Sequence, residues 1–293
     1  MSAKSIVMIH QLKTLVYLAG LSVLLNGCLR PVTPRTSTGS TQPTRDDNLA
    51  LGNPSRATLN DPDNYLMAKS TYTLSYSRKR GIANWVSWHL SSAWKGDSPR
   101  TNEFRPDPTL PTGWYAAKTS DYTHTGFDRG HLCPSDDRDG SAEDNAATFL
   151  LTNIVPQAPR HNREVWKYLE EYERHLVANG NEVYVIAGTY GVGGTGQNGP
   201  ASALAGGKLT VPASLWKIIV VLPTGSDDVS RISTNTRVIA VNIPNVQSAA
   251  DKPWNAYVTS IDLLENQTGY DFLSNVSADV QRIIEARVDG GNS

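Results

Sequence analysis

FDRGHLCPSDDR at 127–138, EDNAATFLLTNIVPQ at 143–157 and NREVWKYLEEYERHLV at 162–177 follow one another almost without a break and form the centre of the folded chain. The second segment contains the apolar run FLLTNIV (149–155), which predicts a short buried strand. The third carries Val165, Trp166, Leu169, Tyr172 and Leu176 at helical spacing, so a helix is expected over 163–177. Outward from this centre, residues 72–76 (YTLSY), 83–90 (ANWVSWHL), 183–187, 215–222 (LWKIIVVL) and 237–243 (RVIAVNI) read as strands. Residues 260–265 open a short helix with Ser260 as its cap, and residues 278–288 form a closing amphipathic helix. Strands and helices interleave without regular βαβ spacing. That favours an α+β domain, a central mostly antiparallel sheet flanked by helices, over a doubly wound sheet.

The chain of 293 residues is 39% hydrophobic and 19% charged, ordinary for a folded protein. Its N-terminal end is of another kind. Lys4 and Lys13 precede the apolar stretch 14–25, which is too short to span a bilayer and suits a signal-peptide core. Leu25-Asn26-Gly27-Cys28 resembles a bacterial lipoprotein processing site. Residues 1–28 are therefore read as an export signal, with either a lipid anchor on Cys28 or ordinary secretory cleavage nearby. The expected destination is periplasmic, membrane-anchored or extracellular. Residues 29–62, rich in Pro, Thr, Ser, Asn and Asp, read as a flexible tether, and residues 63–293 as one folded domain.

A formal net charge of −1 excludes a globally basic surface. A polyanionic partner must then be met by a local basic patch or by a metal ion. With Cys28 lipidated or removed, Cys133 has no partner, which excludes a disulfide framework.

The densest reactive side chains lie between Asp128 and Arg174: Asp128, Arg129, His131, Asp136 and Arg138, then Asn145, Asn153, Gln157, Arg160, Asn162, Arg163, Glu170 and Arg174. Phosphodiester hydrolysis needs a base for water, a cation at the phosphate, a proton for the leaving oxygen and positive charge for the pentavalent transition state. A histidine, an amide or carboxylate with a metal, and arginines supply all four.

In this stretch the chain resembles the DNA/RNA non-specific endonuclease family, the Serratia and Anabaena nuclease type of the ββα-metal superfamily. Asp128–His131 matches the family's DRGH signature, and the segments at 143–157 and 162–177 keep its order and spacing. ANWVSWHL, FRPDPTLPTGW (104–114), TVPASLWKIIVVL (210–222), RVIAVNIPN (237–245) and TGYDFLSNVS (268–277) extend the likeness over about residues 63–288. The resemblance implies a ββα-metal (His-Me finger) fold and an enzyme that cuts DNA and RNA to 5′-phosphate ends with Mg²⁺, or Mn²⁺ in its place. It implies His131 as general base, its other ring nitrogen held by an acceptor. Asn162 is implied as the sole direct protein ligand to the ion, and Glu170 as the carboxylate that orients the ion's water. Arg100, Arg129 and Arg174 are implied as phosphate contacts or supports of the site. A protein inhibitor in the producing cell is a further partner the reading admits.

Blander readings stand beside these. Asn162 alone is a helix cap, Arg174 a partner for Glu170 at i,i+4, and Glu171 and Glu173 surface carboxylates. Cys133 reads as a small buried residue rather than a nucleophile. His124, His161 and His175 lack zinc spacing, and the glycines at 193–196 lack the Lys-Ser/Thr of a phosphate loop. Two other functions compete: a catalytically degenerate nuclease-like binding module, and an exported ligand-binding lipoprotein. Neither accounts for His131, Asn162 and Glu170 occurring together.

Overall fold

The computed structural model describes residues 42–290. The export signal at 1–28, the lipid anchor on Cys28 and residues 29–41 of the tether lie outside the described residues. In chain order the strands are β1 Tyr65–Ala68, β2 Thr73–Ser77, β3 Ile82–Leu90, β4 Asp128–His131, β5 Ile154–Gln157, β6 Asn181–Tyr190, β7 Gly194–Gly196, β8 Gly199–Ala201, β9 Ala203–Leu204, β10 Leu209–Thr210, β11 Ser214–Pro223, β12 Arg237–Pro244 and β13 Val258–Thr259. The helices are α1 Ala142–Ala147, α2 Lys167–Ala178, α3 Asp228–Arg231, α4 Ile261–Thr268 and α5 Ala278–Ile284.

Seven strands form one antiparallel sheet in the order β1-β2-β3-β6-β11-β12-β13. Its two faces bury separate cores. Val183, Val185 and Ala187 of β6, Leu215 and Ile219 of β11, and Ile239, Val241 and Ile243 of β12 face one core, with Trp166, Leu169 and Val177 packed on them. The alternate residues Tyr184, Ile186, Trp216, Ile218, Val220, Val238 and Ala240 face the other, under Ile261, Leu264, Phe272 and Ile284. Because both faces are covered, the central strands read as continuous apolar runs rather than as an alternating pattern. The architecture is α+β, as expected. Ser260 caps α4 as expected, its hydroxyl accepting from the Leu263 N–H at 3.2 Å.

The first face carries the element that matters for function. β4 and β5 pair as a small antiparallel hairpin, His131 opposite Ile154 and Asp128 opposite Gln157. The chain then runs through a π-helical turn, His161–Trp166, into α2. This is a strand–strand–helix unit laid against the large sheet.

Three expectations are corrected. The strand expected at 149–155 forms only from Ile154; Leu151–Asn153 is a 3₁₀ turn. The turn is built around Asn153, whose amide donates to the Cys133 and Thr148 carbonyls and accepts from the Cys133 N–H. The tether does not extend to residue 62. Leu51 and Ala57 are buried in the second core, and Asn48 binds the Ser87 hydroxyl and the His89 N–H. Glu173 is not a surface carboxylate like Glu171. It is fully buried and meets Lys217, from the middle of β11, at 2.8 Å. The ammonium of Lys217 also lies 4.5 Å from the Trp166 ring centre.

Candidate active site

β4 places its residues by strand alternation. Arg129 and His131 are two apart and line one cleft, while Asp128 reaches across to the start of the π-helical turn. Gly130 between them leaves no room for a side chain. A Cβ there would overlap the Gln157 carboxamide and sit 2.8 Å from its Cβ. The glycine of the motif is thus a packing requirement of the hairpin.

His131 is 7% exposed. Phe149 packs edge-on against its ring with centroids 4.8 Å apart, and Phe104 lies at 5.3 Å. Burial, and then the charges of Arg100 and Arg129, push its pKa down to about 3. The imidazole is therefore neutral at any physiological pH and able to accept a proton. Its Nε2 is sealed from solvent without a hydrogen-bond partner, which leaves Nδ1 as the nitrogen that water in the cleft can reach. Among the described residues no group accepts from the inner ring nitrogen, and Phe104 and Phe149 flank the ring.

Asn162 sits in the π-helical turn. Its Nδ2 donates to Asp128 Oδ2 at 3.0 Å. Since an ionised carboxylate only accepts, this contact fixes which end of the amide faces Asp128, and Oδ1 remains as the free oxygen donor. Arg163 clamps the same carboxylate from Nε and NH2 at 2.8 and 2.7 Å. Glu170, two turns on, lines the same cleft. Burial pushes its carboxyl up to about 8, against the lowering effect of Lys217 and Arg174. Asn162 and Glu170, lining one cleft, offer oxygen donors only, which suits a hard divalent cation.

Arg174 does not pair with Glu170. It binds the buried Asp137 at 3.1 Å, with Asp136 at 3.9 Å. Arg100 bonds Ser135 and Asn102 and lies over the Phe149 ring at 4.9 Å. Arg129 lies over the Phe104 ring at 4.5 Å. Among the described residues neither Arg100 nor Arg129 has a carboxylate partner, so together they form the local basic patch that the overall charge calls for. All six sequence-predicted residues line one cleft of ≈ 250 Å³, with Lys167 and Arg163 at its edge. A larger depression of ≈ 460 Å³ beside Pro54, Asn84 and Tyr270 gathers no comparable set.

The other reactive groups are structural. His161 is buried, stacked on Trp166 and bonded to Gln157 at 2.9 Å. Cys133 is buried with its thiol pushed far up by desolvation, which removes the nucleophile reading. Sequence reasoning gave no role to Asp128 and Arg163, and it missed Phe104 and Phe149. Adjacency of Asn162 to Arg163 opposite an acidic residue was the available signal for the first two. No spacing rule links Phe104 or Phe149 to His131.

A strand pair and a helix thus bring a neutral buried histidine, the Asn162 amide, Glu170 and two arginines without carboxylate partners into one cleft. The DNA/RNA non-specific endonuclease model matches residues 54–279, and the chain belongs to that family. It is an enzyme that cuts nucleic acid, and the family's reaction depends on a divalent cation. A protein named Nuclease from Nostoc sp. is 48% identical over 273 residues, which cover 92% of this chain and 96% of that protein. Human mitochondrial Endonuclease G is 28% identical over 219 residues, 73% of this chain and 71% of its own length. The EndoG chain of a crystal structure of the EndoG/EndoGI complex superposes with a TM-score of 0.65 at 23% identity, covering 78% of this chain and 91% of that one, a likeness of fold. The fold is that of the ββα-metal nucleases.

Proposed function

We propose that this cleft hydrolyses phosphodiester bonds of DNA and RNA with Mg²⁺, or Mn²⁺ in its place, and leaves 5′-phosphate ends. The observation that carries the reading is that Asn162, its amide nitrogen spent on Asp128, lines the same cleft as a neutral His131. Asn162 and Glu170 would hold the cation, which supplies charge stabilisation at the phosphate. His131 Nδ1 takes the proton of the attacking water as its oxygen bonds to phosphorus, the P–O3′ bond breaks, and the 3′ oxygen leaves with a proton from cleft water, the neutral ring being free at the outset. Arg100 and Arg129 bind the phosphate and answer the charge that builds on it. Arg174, anchored on Asp137, supports this wall. Contacts of this kind meet phosphate and carry no base information, which accounts for action on both nucleic acids without sequence preference. The test is degradation of supercoiled plasmid, linear duplex, single-stranded DNA and RNA. All four are expected to be cut with Mg²⁺, none with EDTA, and the ends to be ligatable without kinase treatment. Cleavage that resists EDTA would contradict the reading.

Asp128 acts through Asn162. Asp128→Ala is expected to raise the Mg²⁺ concentration for half-maximal activity by about 10–100-fold, with secondary structure unchanged by circular dichroism. An unchanged Mg²⁺ dependence would remove Asp128 from the ion's support.

Glu170 sets the pH dependence. With its carboxyl held up to about 8 in the cation-free protein, kcat/KM is expected to rise with pH as that proton leaves, and cation binding moves the limb lower. His131, held down to about 3, contributes no limb near neutrality. A pH profile of Glu170→Gln should therefore be flat where the parent rises. A limb near the ordinary histidine pKa, about 6.5, surviving in that variant would contradict both assignments.

Residues 1–28 support export, with a lipid anchor on Cys28 as one outcome. A protein inhibitor in the producing cell is the corresponding safeguard, and the solved EndoG relative is a complex described by its mechanism of inhibition.

A further inference from the structure

On the sheet face opposite the cleft, carboxylates of Asp262, Glu265 and Glu285 lie within 4.8 Å of one another. Asp262 and Glu265 stand three apart on α4, and Glu285 is the C-cap of α5. The main chain holds the two helices in register, Asp262 N–H donating to the Glu285 carbonyl at 3.2 Å. Glu265 Oε1 accepts from the Phe272 N–H at 2.7 Å. Glu285 is 6% exposed, and its Oε1 is buried without any hydrogen-bond partner.

Among the described residues no cationic side chain pairs with this cluster. The charged neighbours that act on Glu285 are Glu265, Asp262 and Asp271, all acidic. Arg282 is turned to Asp279, and Arg287 to the Thr234 and Thr236 carbonyls. Asp271 has Arg56 at 3.6 Å, a pair on the outer surface. The position of Glu285 at a helix C-terminus adds the negative end of the helix dipole. A second acidic cluster, Asp46, His89, Glu182 and Asp228, differs in containing a cation of its own, although His89 Nε2 and Glu182 Oε2 lie 3.5 Å apart without a hydrogen bond. There Arg231 bonds Glu182 and Asp228, and the Asp46 N–H at His89 Nδ1 leaves the ring proton on Nε2, towards the carboxylates.

We propose that Asp262, Glu265 and Glu285 form a calcium site that fastens α5 to α4. Three carboxylates with no nitrogen or sulfur donor select a hard cation. Calcium fits in preference to magnesium, because the donors come from two helices with no octahedral arrangement imposed, and solvent at exposed Asp262 completes the shell. Few protein ligands and partial exposure place the affinity at about 10⁻⁴–10⁻³ M. The site is independent of the nuclease reading.

The test is thermal unfolding of the Asn162→Ala protein across a CaCl₂ titration, a background from which the cleft ligand has been removed. The melting temperature is expected to rise by about 3–5 °C at tenfold excess over Kd. Glu285→Gln in that background should abolish the rise, and Asp262→Asn, which touches no core, should shift it to at least about tenfold higher calcium. Glu285→Gln alone should cut plasmid DNA at the parent rate. No rise up to about 10 mM calcium, or an equal rise in Glu285→Gln, would overturn the proposal.

Discussion

His131→Ala is expected to lower kcat by about 10²–10⁴-fold on both DNA and RNA, with KM changed little. The side chain offers the cleft one proton acceptor, while Arg100, Arg129, Asn162 and Glu170 hold the phosphate end of the reaction and stay in place. The ring lies between Phe104 and Phe149, so its loss leaves an apolar gap rather than an unpaired charge. The fold should survive, and near-ultraviolet circular dichroism checks it. A loss confined to KM would make His131 a binding residue. A loss on DNA alone would break the single-cleft account of both substrates.

Glu173→Ala is expected to destabilise the protein by about 3–5 kcal/mol, read by urea unfolding. The cost arises from Lys217, which would keep its ammonium fully buried between Trp88 and Trp166 with no anion at 2.8 Å. Lys217→Met with Glu173→Leu, which removes both charges, should recover most of that loss, because a buried pair and a well-packed apolar pair are close in stability. The pair also carries α2, so activity at 37 °C should fall with the single change and return with the double one. A single-variant loss under about 1 kcal/mol would mean that water reaches Lys217 and that the pair does not organise the helix.

These two residues show how much the sequence could tell. The site was legible because its chemistry is packed into a short stretch: Arg129 and His131 share a strand face, and Asn162, Glu170 and Arg174 follow within one turn-and-helix unit. Arg100, far from them in sequence, reached the cleft through the family resemblance alone. The large strands were legible as apolar runs such as LWKIIVVL. Glu173 was misread although its spacing carried a signal: it lies midway between Leu169 and Val177 on the buried line of α2. Lys217 in the middle of an apolar strand was the matching sign, but pairing the two requires knowing that α2 packs on β11. The turn at Leu151–Asn153 was hidden because side-chain bonds from Asn153 replace the strand ladder. The π-helical turn at His161–Trp166 was hidden because the apolar spacing of 163–177 fits an ordinary helix. Residues 44–62 were misread from composition, yet Asn48, Leu51 and Ala57 find partners far along the chain.

The most direct test of the central claim is plasmid and RNA cleavage by His131→Gly, with and without added imidazole. The account predicts that the variant is nearly inert with Mg²⁺, and that imidazole entering the vacated space between Phe104 and Phe149 restores cleavage of both substrates while EDTA abolishes it again. Cleavage at the parent rate without imidazole would show that the proton of the attacking water goes elsewhere, and that the cleft around His131 is not where the bond is cut.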